Sequence, residues 1–325
     1  MNEPTAVSMN NNRRVRIKHN PVIDLVLLLV RPRAVPATSS TVVWIKRHPL
    51  VALVSLAYGL TWIGSVLFVA NPAAASQRGV ISFTTVFVAL FMLGGCLWAA
   101  FIVETAAGGI TNRLALLRRL RLFRWRVNIG WYATALLLPA GMMLAGVWLA
   151  SVLSGTANQI PLLAVPPSAW LTVIFMNIGA YVIGNFEEFA WRGVALPHLQ
   201  ATQFAVKAAL IVGIIQAIWH LPYFFTSNSL EQQLGPLGFL LWNIALSIVI
   251  TWIFNNAKGS LLIAILFHAA NDGWSALLMP SSSALPVLLT VAVEVVVAIA
   301  LIAVFGAKRL SRKPEAELVS EIITL

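Results

Sequence analysis

The chain has 325 residues, 59% hydrophobic and 10% charged, with 22 Lys+Arg against 11 Asp+Glu and a formal net charge of +11. A soluble domain is about 45–50% apolar and about 25% charged. The composition therefore excludes a soluble globular enzyme, a disordered tail protein and a small disulfide scaffold, and it leaves a polytopic membrane protein. The single cysteine, Cys96, lies inside an apolar run, so an intrachain disulfide and a cysteine-based zinc cluster are both ruled out.

Residues 1–48 are a polar, basic leader. No apolar core directly follows a short basic start, which argues against a cleaved signal peptide. Within the leader, Val22–Val30 is too short to span a hydrocarbon layer of about 30 Å and is expected at the interface or against the bundle. Eight longer apolar stretches follow, at roughly 49–71, 81–103, 128–153, 168–190, 206–226, 236–256, 260–279 and 284–307, each near the spanning length of about 20 residues. The fold class is therefore all-α: a transmembrane bundle over 49–307, with a polar tail at 308–325. The fourth stretch is expected to continue as helix toward Pro197. The segment 113–126, RLALLRRLRLFRWR, places Leu116, Leu117, Leu120 and Phe123 at helical spacing among arginines. It reads as an interfacial helix that grips anionic lipid, so membrane lipids are expected partners. No internal repeat is visible, which weakens a secondary transporter built from inverted halves.

Lys and Arg fix the expected orientation. Eight in residues 1–48, six in 104–127, Arg192, Lys207, Lys258 and four from Lys308 onward fall on one side, and Arg78 alone falls on the other. Both termini are expected to be cytoplasmic, in a cell (inner) membrane. The positive charge then reports topology and requires no nucleic acid.

Ionisable groups inside spans cost about 2.5–3.5 kcal/mol each at a helix centre, so their positions are informative. The fourth stretch carries Asn185-Phe186-Glu187-Glu188-Phe189-Ala190-Trp191-Arg192. Glu188 and Arg192 are i,i+4 and can pair on one face, whereas Glu187 lies about 100° away and has no evident partner in its own helix. The fifth stretch places Gln216 and His220 one turn apart, and the seventh places His268 and Asp272 likewise, with Asn271 beside them. At about 1.5 Å per residue, Glu187, His220, His268 and Asp272 reach a similar depth between the midplane and the cytoplasmic face. Each group alone is most simply polar helix–helix glue; together they point to chemistry. Glu294, isolated in the eighth stretch, reads as a packing or hydrogen-bonding group.

Two carboxylates and two histidines at one level suit either of two ways to activate water. One is a divalent metal site, Zn2+ above all, with Glu187, His220, His268 and Asp272 as ligands. The other is metal-free, with Glu187 and a histidine as the base and His268 and its neighbour stabilising an oxyanion. The zincin motif HExxH and the serine-hydrolase motif GxSxG are both absent.

These residues resemble the CPBP family of intramembrane proteases, also called the Abi or CaaX-protease family, over roughly 165–280. Its EExxxR motif is matched by Glu187-Glu188-Phe189-Ala190-Trp191-Arg192. Its FxxxH motif is matched at His220 with Gln216 in place of Phe, and its HxxxN/D motif at His268 and Asp272. The resemblance implies that Glu187 and His220 activate water. It also implies that His268 and Asp272 bind the oxyanion or a metal, and that Glu188 and Arg192 hold the site together. Gln216 is expected to hydrogen-bond His220 and alter its orientation. Asp272 in place of Asn adds a charge that favours a metal, or else is protonated. The expected activity is intramembrane endopeptidase cleavage of a membrane-associated protein or peptide substrate near the cytoplasmic leaflet, either a prenylated CaaX-like C-terminus or a leader peptide. The alternatives are a non-catalytic membrane scaffold or bacteriocin-immunity protein of the same fold, and, behind it, an ion-coupled transporter.

Overall fold

A computed structural model describes residues 21–31, 33, 35–70, 83–120, 127–157, 159–226, 229–280 and 284–323. Among the described residues the regular structure is all helical, and eight helices are long and apolar enough to cross a membrane.

Two short helices, α1 (Pro21–Val30) and α2 (Ser40–Arg47), precede the spans. Helix α1 packs on the bundle rather than lying free. Leu28 is buried, and the buried Asp24 accepts a 2.6 Å hydrogen bond from Ser39 Oγ.

The first two spans are α3 (Pro49–Ala70) and α4 (Phe83–Arg118). They pack on each other along much of their length. Helix α4 continues past the expected end near residue 103, with a break at Gly108 and Gly109, where Gly109 has φ +68°. This corrects the expectation for Arg113, Leu116 and Arg119 of 113–126, which are held by protein groups, while Leu114 and Arg118 are exposed. Leu116 is buried. Arg113 donates to the Leu29 carbonyl at 2.7 Å and lies over the Phe101 ring. Arg119 is also buried, donates to the Ile322 carbonyl at 2.6 Å and covers Phe254. An arginine whose donors find carbonyls and an aromatic face inside the protein has little left for lipid headgroups. Residues 121–126 lie outside the described part, as do 1–20.

The remaining spans are α5 (Ile129–Ser154), α6 (Trp170–Gly184), α8 (Ala205–Trp219), α9 (Leu230–Asn256), α10 (Leu261–Leu278) and α11 (Leu285–Phe305). Between α6 and α8 the chain stays coiled through α7 (Leu196–Gln200). Helix α10 packs against both α5 and α6, α8 against α9, and α11 against α5 and α9. Helix α10 is thus the inner helix, and it carries His268 and Asp272.

Candidate active site

The helix that carries Glu187 and Glu188 changes pitch where they occur. Helix α6 ends at Gly184, Asn185–Glu187 form a 3-10 turn, Glu188–Ala190 a single α turn and Trp191–Ala195 a π turn. The helix does run past Pro197, to Gln200. Departures of this kind cluster at functional sites, because each extra or missing residue per turn re-aims the side chains that follow.

Arg192 organises the interior. Its Nη1 donates to Glu188 Oε1 and to Gln216 Oε1, both at 2.9 Å, and the Arg192 and Glu188 side chains are fully buried. Glu188 Oε1 also accepts from His268 Nδ1 at 2.7 Å. The expected Glu188–Arg192 pair is therefore one edge of a four-residue network that joins three helices. Gln216 departs from its expected role: its side chain faces the guanidinium rather than the His220 ring. A guanidinium carries five donors, and its buried charge takes any acceptor within reach. The aromatic contact to His220 comes instead from Phe239 on α9, with ring centroids 5.1 Å apart.

Glu187 is buried, and its Oε2 accepts from Trp191 Nε1 at 2.8 Å. A partner does exist within its own helix, one turn on: an indole N–H, a donor that a search for charges passes over. Its Oε1 lies 3.5 Å from His268 Nδ1, so His268 stands between the two glutamates.

His220 stands at the C-terminal end of α8, and its Nδ1 lies 2.9 Å from Glu231 Oε1. The backbone that carries it is fastened to α3. Trp62 Nε1 donates to the Trp219 carbonyl at 2.9 Å, the Tyr58 hydroxyl to the Ile215 carbonyl, and Ser65 Oγ to the Tyr223 hydroxyl at 3.2 Å. The Trp219 carbonyl is one of those left over at a helix end, and Trp62 supplies its donor.

Asp272 Oδ2 accepts from Asn185 Nδ2 at 2.9 Å, which links α10 to the turn that holds Glu187. The two helices approach closely here. A Cβ on Gly273 would stand 2.8 Å from Ile178 Cγ1 and 3.1 Å from the Ile178 Cα. Asn271 is fully buried, does not line the cavity, and its amide has no hydrogen-bond partner among the described residues.

Glu187, His220, His268 and Asp272 all line one cavity of about 200 Å³, together with Tyr181, Asn185, Tyr223, Glu231, Trp242 and Asn243. Glu188, Arg192 and Gln216 lie behind its wall. Two side chains of the site went unread in the sequence, Glu231 and Asn185. Glu231 sits five residues ahead of where the sixth span was expected to begin. The signal was present: Ser229 followed by Gln232 is a capping-box spacing, and Ser229 Oγ does accept from the Gln232 amide at 3.2 Å. Asn185, two residues before Glu187, was one of several polar groups in that apolar stretch, and nothing in the sequence set it apart from Asn177.

Zinc and similar ions take imidazole nitrogen and carboxylate oxygen, at least three from the protein. Among the described residues no three His, Cys, Asp or Glu side chains gather in a way that could hold a metal ion. The Nδ1 contacts of both histidines to carboxylates leave each Nε2 available, so the misfit lies in the spacing of the groups and not in the ring nitrogens. As they stand, no three of Glu187, His220, His268 and Asp272 gather as such a centre requires.

Residues 166–274 match the Rce1-like family of type II CAAX prenyl endopeptidases. The match encloses every residue of the motifs and of the Arg192 network. The chain is also 30% identical over 190 residues to CAAX prenyl protease 2 of Methanococcus maripaludis, an alignment that covers 55% of this chain and 69% of that protein.

Proposed function

The chain belongs to the Rce1-like CAAX prenyl endopeptidase family and is an intramembrane protease; from that premise we propose that it cuts its substrate with water activated by Glu187 and His220, near the cytoplasmic leaflet. The observation that carries this reading is that side chains from three helices, Glu187, His220, His268 and Asp272, border one cavity.

Glu187 is the base. Trp191 occupies Oε2, and Oε1, 3.5 Å from His268 Nδ1, is the oxygen assigned to take a proton from water. The water oxygen adds to the scissile carbonyl carbon, and the carbonyl oxygen becomes an oxyanion. His268 is anchored through Nδ1 to Glu188 and, as the doubly protonated imidazolium between two carboxylates, donates from its other nitrogen to that oxyanion. When the C–N bond breaks, the proton passes to the departing amine, with His220 as the group that relays it. The products are a carboxylic acid and an amine. Asp272, whose Oδ2 accepts from Asn185, borders the cavity one turn from His268 and is assigned to the oxyanion side of the site. Water activation is assigned to side chains alone.

The name of the relative, CAAX prenyl protease 2, supports a reading of the substrate class. We assign this chain a prenylated C-terminal peptide, which its lipid tail would bring to the membrane depth of the cavity. The test uses the purified protein in liposomes with three fluorogenic peptides: a farnesylated CaaX peptide, the same peptide without its lipid, and a leader peptide of a membrane-bound precursor. The farnesylated peptide is expected to be cleaved fastest, and Glu187→Ala and His220→Ala to be silent on it. Equal cleavage by wild type and both variants would overturn the catalytic assignment. Preference for the leader peptide would overturn the substrate. One equivalent of bound metal, lost in His268→Ala, would overturn metal-free water activation.

A further inference from the structure

Glu231 comes from the start of α9, outside the three motif-bearing helices, yet it lines the same cavity and is buried at 8% exposure. Its place is set locally. Ser229 caps the helix, Glu231 falls in the first turn, and Gly235 (φ +65°, ψ 172°) breaks the helix before Pro236. The turn Leu230–Leu234 is thereby set off from the long span and turned toward the end of α8. There Glu231 Oε1 meets His220 Nδ1 at 2.9 Å.

The plane of the His220 ring is fixed separately. Trp219, Tyr223 and Phe239 surround it, with centroids 4.8, 5.5 and 5.1 Å away. Aromatic packing sets where an imidazole lies, but it does not decide which nitrogen carries the proton. A carboxylate on Nδ1 does, because an ionised carboxylate only accepts. The proton is then held on Nδ1, and Nε2 becomes the basic nitrogen.

We infer that Glu231 is a positioning residue that holds His220 in its Nδ1–H tautomer, so that Nε2 is the nitrogen that handles the proton in the cavity. The inference rests on the proposed role of His220 and adds a fifth residue to the reaction, from a fourth helix. It gives His220 the same support that Glu188 gives His268: one histidine, one carboxylate, contact through Nδ1.

The test is run on the full-length protein, labelled with 15N-histidine in detergent, with Glu231→Gln and Glu231→Leu beside wild type. The His220 signals are assigned by their loss in His220→Asn. Wild type is expected to show one His220 tautomer, protonated at Nδ1, and Glu231→Leu a mixture. For peptide cleavage, kcat is expected to fall about 10²-fold in Glu231→Leu, the lower end of what a positioned base contributes. KM should stay within about twofold of wild type, and the near-isosteric Glu231→Gln should fall between the two. An unchanged tautomer in both variants overturns the inference, and so does wild-type kcat in both. A Glu187→Ala control that cleaves like wild type would overturn the catalytic reading instead, while the tautomer spectrum still decides the role of Glu231.

Discussion

Arg192 shows what a single buried charge demands of its surroundings. It is fully enclosed, and its Nη1 is satisfied by Glu188 and Gln216 together. Removing one partner of a buried pair leaves an uncompensated charge and costs about 3–5 kcal/mol. Arg192→Ala is therefore expected to lower the melting temperature in detergent sharply and to release His268, whose anchor Glu188 loses its counter-ion. Gln216→Phe restores the aromatic of the family motif but removes one acceptor from Arg192. A loss of about 1–3 kcal/mol is expected from that unpaired donor, read as a lower melting temperature with His220 chemistry intact. A variant as stable as wild type would show that the amide is dispensable. The Glu188–Arg192 contact could be read from the sequence because i,i+4 spacing fixes it. The acceptor role of Gln216 could not, because it depends on how α8 is rotated against its neighbour.

At the scale of helices, the site depends on where regular winding stops. The 3-10 and π turns around Asn185–Ala195 and the break at Gly235 put Glu187 and Glu231 into one cavity. Apolar run length locates the spans, yet it misses where α4 runs on to Arg118 and where α9 starts early at Leu230, and it carries no signal for a changed pitch inside a span. The number of spans was legible and the local geometry was not. Gly273 shows a second dependence. It lets α10 approach the Ile178 backbone, and the next residue toward its start, Asp272, bonds Asn185 across that contact. In membranes, small residues at helix contacts set this distance. Gly273→Val must push α6 and α10 apart at an overpacking cost of about 1–3 kcal/mol. It is expected to lower thermal stability and cleavage together, and wild-type cleavage in Gly273→Val would separate the helix contact from the site. The clamp from α3 is expected to behave differently. Trp62→Phe removes a hydrogen bond to the Trp219 carbonyl and should lower kcat more than stability, because it loosens only the end of α8 that holds His220.

For the molecule as a whole, scarcity of charge carried most of the information. Eight spans follow from apolar run length, and the structure has eight helices of that kind among the described residues. Where the runs are interrupted by acids and histidines, the fold brings them to a common wall: Glu187, His220, His268 and Asp272 border one cavity. Arg113 and Arg119 went the other way. Their spacing suggested a lipid-facing helix, and only the fold reveals the carbonyls and rings that occupy Arg113 and Arg119. Orientation is a prediction at this scale. Because Cys96 is the one cysteine of the chain, a Cys96→Ala background permits single cysteines at positions 78 and 312. A membrane-impermeant maleimide added to intact cells should label position 78 and spare position 312. The reverse pattern would invert the topology and move the cavity to the opposite leaflet.

The most direct measurement of all is the cleavage rate of Glu187→Gln, with the variant shown to melt like wild type. The amide keeps the shape of the side chain and can still accept from Trp191, but it cannot take a proton from water. If Glu187 is the base, kcat on the cleaved peptide falls by about 10²–10⁴-fold while the protein stays folded. A Glu187→Gln enzyme that cleaves within about twofold of wild type would contradict the central claim.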